Sequence, residues 1–330
     1  MNVLVTGGAG YIGSHAVREL LDTRHTVVVL DNLSHGHRKA IDSRATFVQG
    51  DTSDSKILRD LFGNHHIEAV MHFAADIEVG ESVVNPLKYY QNNFSNALNL
   101  LGCMKENGIN KLVFSSTAAV YGNPEKTPIE ETQIRNPINP YGRSKMMTEM
   151  AIEDFSRAHG MGFTILRYFN VAGAHPEAMI GEDHRPESHL LPRILKAAQT
   201  SSAVKIFGTD YSTRDGTCIR DYVHVVDLVR AHILALNSLQ EGKGDVYNIG
   251  SQSGFTVKEV IRACEQVTGL KIKVHEEDRR PGDPDVLVAS SHKIRSKLNW
   301  TPLYPSMETI VAHAWNWHSK CPEGYDSSAS

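Results

Sequence analysis

The stretch Thr6-Gly7-Gly8-Ala9-Gly10-Tyr11-Ile12-Gly13 decides the fold. It follows the apolar run Val3-Leu4-Val5 and opens a segment with helical periodicity, so Gly7, Gly10 and Gly13 make a Gly-x-x-Gly-x-x-Gly turn between a strand and a helix. In such a turn the glycines allow tight reversal, close backbone approach to a pyrophosphate and close helix–sheet packing, while the helix N-terminus offers N–H groups to an anion. A glycine-rich turn by itself is a weak signal, because many are ordinary loops. Its context is stronger. A second apolar run, residues 26–30, ends in Asp31 about twenty residues beyond the turn, where a carboxylate accepts from the ribose hydroxyls of a dinucleotide and repels a 2′-phosphate. NAD is favoured over NADP. Arg38 is the nearby cation that argues the other way, and a plain turn role is the blander reading of Asp31.

Outward from the turn, short β-rich runs at residues 3–6, 26–30, 45–48, 69–73, 111–115 and 164–168 alternate with amphipathic stretches. That alternation predicts an α/β fold, a doubly wound parallel sheet of Rossmann type, with ligands at the C-terminal ends of the strands. After Tyr168 the rhythm breaks into loops rich in Gly, Pro, His and Glu, which predicts a smaller mixed α/β lobe. Residues 1–170 and 222–249 are assigned to the dinucleotide-binding domain, and 171–221 and 250–330 to the substrate lobe. Residues 326–330 read as a disordered polar tail.

Composition narrows the partners. The chain has 330 residues, 41% of them hydrophobic, and a net charge of −4 with the two signs mixed, so a substantial core is expected and a nucleic-acid-binding surface is not. With no apolar run long enough to span a bilayer and no leader-like N-terminus, a cytoplasmic protein without membrane contact is expected. Cys103, Cys218, Cys264 and Cys321 are scattered, and the 17 histidines contain no His-Glu-x-x-His, so neither disulfides nor a metal site is expected.

The chemistry is carried by Tyr141-Gly142-Arg143-Ser144-Lys145, a phenol and an ammonium at i and i+4 on one helix face just after Asn139-Pro140. A free phenol titrates near pH ~10 and is a poor base, but an adjacent lysine and a positive nicotinamide ring would both favour the phenolate. A solvated Tyr-x-x-x-Lys face is common by chance. Thr117, at the end of Leu112-Val113-Phe114-Ser115-Ser116, makes the set more specific, because its hydroxyl could hold a substrate hydroxyl beside the phenol.

The glycine turn, Asp31, His72-Phe73-Ala74-Ala75, Phe114 to Gly122, Tyr141 to Lys145 and Leu166-Arg167-Tyr168-Phe169-Asn170 together resemble the extended short-chain dehydrogenase/reductase family. Within it, Val171 to Pro176 and Gly216 to His224 resemble the UDP-glucose 4-epimerase branch, and the likeness covers nearly the whole chain. The resemblance implies that Gly7, Gly10, Tyr11, Ile12 and Gly13 hold the NAD diphosphate. It places Asp31 and Asn32 at the adenosine ribose, Asp51 and Thr52 at the adenine, and Phe73, Ala74, Asn92, Ser115, Tyr168, Tyr141 and Lys145 at the nicotinamide half. For a UDP-sugar it implies Asn170, His189 and Arg220 near the diphosphate, Leu190 and Phe207 around the uracil, and Arg280 and Asp283 from Arg279-Arg280-Pro281-Gly282-Asp283. Guanidinium groups suit a diphosphate because they match its oxygens bidentately.

The implied reaction is inversion at C4′. Tyr141 takes the 4′-hydroxyl proton as hydride passes from C4′ to NAD. Thr117 holds the same oxygen, and hydride returns to the other face of a transient 4-keto sugar. NAD is not consumed, and a homodimer is implied, with residues 87–104 and 146–155 as helices for its face. Sugar-nucleotide 4,6-dehydratases need carboxyl groups after the threonine, and here those positions are Ala118 and Ala119. A non-catalytic dinucleotide sensor is the rival of another class.

Three positions depart from the usual pattern. Asp76-Ile77-Glu78 stands where a lysine often follows, and His189 where an asparagine often precedes Leu190. Leu287 occupies the position that would crowd a 2-acetamido group, which favours UDP-glucose and UDP-galactose over their N-acetyl forms. The alternatives are UDP-N-acetylglucosamine, a UDP-pentose or UDP-glucuronate.

Overall fold

The computed structural model describes residues 1–280 and 283–326. Most of the expected tail and the Pro281-Gly282 pair lie outside the described residues. Seven parallel strands form the main sheet: β1 (Asn2–Thr6), β2 (Thr26–Asp31), β3 (Thr46–Gln49), β4 (Ala69–His72), β5 (Lys111–Ser115), β6 (Gly162–Tyr168) and β7 (Gly244–Ile249). Their order across the sheet is β7-β6-β5-β4-β1-β2-β3. The order reverses between β1 and β4, which opens a crevice at their C-terminal ends.

Both faces of the sheet are buried, and this explains the unbroken apolar runs. Val3 and Val5 join Val27 and Val29 in one core, while Leu4, Val28 and Leu30 point into the other. The Val225–Ser238 helix closes the first core. So do Ile294 and Trp300, which the sequence reading assigns to the smaller lobe. The Trp300 indole donates to the Asp227 carbonyl at 2.9 Å, and the Asp227 carboxylate accepts from the Leu303 and Tyr304 amides at 2.6 and 2.9 Å, pinning this returning segment to the helix.

The smaller lobe has its own core beneath the helices Leu190–Thr200, Val257–Thr268 and Met307–Lys320 and the parallel pair Ala203–Phe207 and Lys273–Glu277. Thr256 and Glu259 form a capping box that starts the middle helix. The region expected as one helix over 87–104 is built in three pieces, Pro86–Tyr89, a π-helical Tyr90–Ser95 and Asn96–Glu106. In the wider π turn, the Asn93 amide reaches across to the Asp76 backbone, accepting at 2.8 Å and donating at 2.9 Å.

Candidate active site

The glycine turn lies at the C-terminal end of β1. Gly7 has φ +73°, and a Cβ there would sit 2.6 Å from the Ala74 nitrogen; one on Gly13 would sit 2.1 Å from the Gly7 carbonyl oxygen. Gly10 differs, since its Cβ would meet nothing nearer than the Gly7 oxygen at 3.4 Å. Gly10 is the N-cap of the Tyr11–Asp22 helix and supplies no side-chain cap. Two glycines therefore serve packing, and the third leaves an uncapped helix N-terminus open to an anion. The Asp31 carboxylate holds the turn to β2, accepting from the Ala9 amide at 2.9 Å and the Leu33 amide at 2.8 Å. Burial raises its pKa, and those two amides oppose the rise. Each oxygen keeps acceptor capacity for a ribose hydroxyl.

Next to it, Asn32 donates to Asp51 at 2.6 Å, and Asn96 reaches both Asp51 and Asn92 at 3.3 Å. Thr52 is buried, with its carbonyl taken by Asn99 at 2.7 Å. The Arg38 guanidinium stacks 4.5 Å from the Phe47 ring centre. The buried Tyr11 phenol donates to the Gly173 carbonyl at 2.7 Å, joining the turn to the segment after β6, and Ile12 packs into the apolar cluster around it. These residues fit an adenine dinucleotide: a backbone cradle that a Cβ would fill, an uncapped helix start and a carboxylate at the end of β2.

Tyr141 and Lys145 lie in the first turns of the Pro140–His159 helix. Asn139 caps that helix through the Gly142 amide at 2.8 Å, and Pro140 occupies its first position. The Thr117 hydroxyl lies beside the Tyr141 phenol. Burial pushes the phenol above its ordinary pKa, and the Thr117 hydroxyl pulls the other way. Lys145 is buried, its Nζ donates to the Ser115 carbonyl at 3.0 Å, and burial pushes it down to about 8 against the pull of Glu149. Its ammonium is bonded to the strand backbone, and burial is the largest influence on the phenol.

Ser115 and Tyr168 share a short hydroxyl–hydroxyl contact, and Phe73 packs against His232 in a tilted arrangement with ring centres 4.9 Å apart. The loop residue Ala74 closes over Gly7. The carboxyl positions of a dehydratase are filled by Ala118 and Ala119 in the short helical turn after Thr117.

On the other side, Asn170 donates through its side chain to the Asp221 carbonyl at 3.0 Å, beside Arg220. Arg220 pairs with Asp283, and Arg280 stacks 3.9 Å from the Phe207 ring centre. Arg220 also pairs in register with Leu287, which packs against Ala118, Val120, Tyr121 and Ile129. Leu190 starts its helix partly buried beside the small-lobe core. Arg220 is thus neutralised by Asp283, three residues from the Arg280 that stacks on Phe207. Asp76, where a lysine was missed, is not without a cation: His35 lies at 3.1 Å and Lys88 at 3.5 Å.

His189 departs from expectation. Its Nδ1 faces Glu182 at 2.8 Å and Glu187 at 3.3 Å, so that atom is turned from any phosphate. Burial disfavours its charge, yet the two carboxylates push it up to about 10. Together with His184 these groups form a four-residue set of metal-ligand type. The spacing Glu-x-His-x-x-Glu-x-His is the signal in the sequence, but it follows no helical period.

The sequence reading also missed a buried network under the site. Arg167 forms a bidentate pair with Glu149, whose Oε1 also accepts from Ser116 at 2.6 Å; Arg135 adds a bond at 3.0 Å. Arg167 reaches on to the Tyr121 phenol at 2.8 Å, which donates to Asn248 on β7 at 2.8 Å. Glu149 follows Lys145 by one more helical step, a continuation legible in the sequence.

A profile of the NAD dependent epimerase/dehydratase family matches residues 3–250. The UDP-glucose 4-epimerase of Lacticaseibacillus casei is 51% identical over 327 residues, covering 98% of this chain and 99% of that one. A crystal structure of a UDP-glucose 4-epimerase superposes with TM-score 0.96 at 50% identity, covering 99% of this chain and 100% of that one. The UDP-glucose 4-epimerase of Bifidobacterium longum, in complex with NAD+ and UDP, superposes with TM-score 0.93 at 36% identity over 98% of this chain and 100% of that one. With the glycine turn, Asp31 and the Thr117, Tyr141 and Lys145 set in place along the sheet edge, the chain belongs to the NAD dependent epimerase/dehydratase family.

Proposed function

We propose that this chain interconverts UDP-galactose and UDP-glucose by removing the C4′ hydrogen as hydride and returning it to the opposite face. The observation that carries the proposal is the buried Lys145, whose Nζ donates to the Ser115 carbonyl at 3.0 Å at the end of β5, with Tyr141 one helical turn before it and Thr117 two residues beyond Ser115. Bound NAD supplies reversible hydride acceptance and, through its positively charged ring, a field that favours the Tyr141 phenolate. Tyr141 takes the proton of the 4′-hydroxyl and later returns it. Thr117 fixes that oxygen, and Lys145 braces the β5 end at Ser115. Asn170, Arg220 and Arg280 hold the diphosphate, with Phe207 and Leu190 at the uracil. The carboxylate of Asp283 must release Arg220 or share it when the diphosphate arrives.

The sheet domain is assigned the cofactor and the smaller lobe the nucleotide sugar. We read the working form as a cytoplasmic homodimer; Val84, Leu87 and Met150, exposed apolar residues on or beside the two helical segments named for its face, support this. Among the described residues no helix is long and apolar enough to cross a membrane. Leu287 favours the unacetylated sugars, because a branched side chain packed against Tyr121 and Ile129 has little room to yield. A Leu287→Ser variant that turns over UDP-N-acetylglucosamine better than the parent would support its place in the pocket.

The test is to purify the chain without added cofactor, supply UDP-galactose and follow the sugar nucleotides by NMR. Appearance of UDP-glucose is expected. A 4-keto-6-deoxy product would indicate dehydration instead, and unchanged UDP-galactose despite bound NAD would indicate a sensor.

A further inference from the structure

Four potential metal ligands converge in the loop before the Leu190–Thr200 helix: Glu182, His184, Glu187 and His189, with ligand atoms all within 4.8 Å of one another. Glu182 is 4% exposed, and its Oε1 lies 3.2 Å from His184 Nδ1 and 2.8 Å from His189 Nδ1. Glu187 oxygens lie 3.9 Å from His184 Nδ1 and 3.3 Å from His189 Nδ1. Among the described residues, no lysine or arginine pairs with either carboxylate. His189 Nδ1 is enclosed and has no hydrogen-bond partner, although Glu182 is close: the contact is not aligned as a hydrogen bond. A buried carboxylate and two imidazole nitrogens thus face the same small volume.

The loop that carries them is anchored from outside. The Glu182 carbonyl accepts from the Trp317 indole at 3.1 Å, and the Gly181 carbonyl from the Tyr325 phenol at 3.2 Å. Asp183 accepts from the Tyr325 amide at 3.0 Å and lies 3.3 Å from His37 Nε2. Glu187 accepts from the His189 amide at 2.7 Å. The ligands are held before any ion arrives, which lowers the cost of binding one.

We propose that Glu182, His184, Glu187 and His189 bind one divalent cation of the zinc class. Four ligands at about 2.0–2.1 Å from a tetrahedral ion lie about 3.3–3.4 Å apart, and the nitrogen–oxygen separations of 2.8 to 3.9 Å bracket that spacing. Two imidazoles favour zinc over calcium or magnesium, which prefer all-oxygen shells. The four groups fill a tetrahedral shell, and the ion's role is structural. It fastens the start of the Leu190–Thr200 helix beside Tyr11 of the glycine turn, whose ring lies edge-on 6.3 Å from that of His184. The inference is independent of the reaction assigned above.

The experiment is to strip the purified full-length chain with a chelator and titrate it with zinc chloride by calorimetry. Saturation near one zinc per chain is expected, together with a higher unfolding temperature and, with cobalt(II) instead, the intense visible absorption of a tetrahedral site. His184→Gln/His189→Gln should weaken zinc binding by at least about 100-fold, while His275→Gln, on the exposed strand Lys273–Glu277, should leave it unchanged. Glu187→Gln, at a half-buried position, should weaken it by about tenfold or more and decides the matter if the double variant does not fold. Absence of saturable binding to the native chain, or equal binding by the ligand variants, would overturn the proposal.

Discussion

Arg167 and Glu149 form a bidentate ion pair, Nε to Oε1 at 2.9 Å and Nη2 to Oε2 at 2.6 Å, with side-chain exposures of only 3% and 0%. Because Ser116 donates to the same carboxylate, the pair fixes the Pro140–His159 helix against the end of β5. That sets the placement of Thr117 relative to Tyr141. Glu149→Ala leaves a buried guanidinium without its main partner and is expected to cost about 3–5 kcal/mol. Urea unfolding checks this. A loss below about 1 kcal/mol would mean that water or Arg135 movement relieves the charge.

The three glycines of the turn should behave differently when given a Cβ. Gly7→Ala and Gly13→Ala push into backbone at 2.6 and 2.1 Å and should destabilise the fold by about 1–3 kcal/mol each. Gly10→Ala has room within the protein, so it should fold like the parent yet lose bound NAD. Unfolding temperature and nucleotide released on denaturation separate the two effects. A Gly10→Ala protein that keeps NAD would place the diphosphate elsewhere.

Acid should destabilise the chain sooner than carboxylate titration would. Burial, the largest cause in each, lowers His15 and His232 to about 4, His72 to about 3 and His224 to about 2. Their unfolded values lie near 6.5, so below that pH the unfolded chain binds protons that the folded chain refuses. The stability they contribute is present above pH ~6.5 and is lost as the pH falls. Asp221 opposes this: burial raises it to about 6, so its titration favours the fold as acid is added. His189 opposes it too, since against the pull of burial Glu182 and Glu187 push it up to about 10, so with four groups against two roughly 2–4 kcal/mol should be lost between pH 7.5 and pH 5.5. Urea midpoints at the two pH values test it, and equal midpoints would contradict it.

The cofactor half was legible because its signals are local. A strand, a glycine turn and a carboxylate at the next strand end each declare themselves within a few residues, and six of the seven strands of the sheet were legible as short β-rich runs. Tyr141 and Lys145 were legible through helical spacing. Arg167 and Glu149 were not, because they meet only after the helix docks on β6. Nor was the return of Trp300 to the sheet core, which depends on the distant Asp227. The Glu182–His189 cluster is local in sequence, but an irregular loop has no period from which to infer which side chains converge. The carboxylates that draw His189 lie two and seven residues away in that loop, with no regular period linking them to it.

The most direct measurement is turnover of UDP-galactose by Tyr141→Phe, with bound nucleotide quantified in the same preparation. Removal of the phenolic oxygen leaves the ring that packs edge-on to Tyr89 at 6.5 Å but takes away the group proposed to accept the 4′-hydroxyl proton. A fall in kcat of about 10²–10⁴-fold with NAD content unchanged is predicted. Retention of most of the parent turnover with NAD bound would contradict Tyr141 as the base.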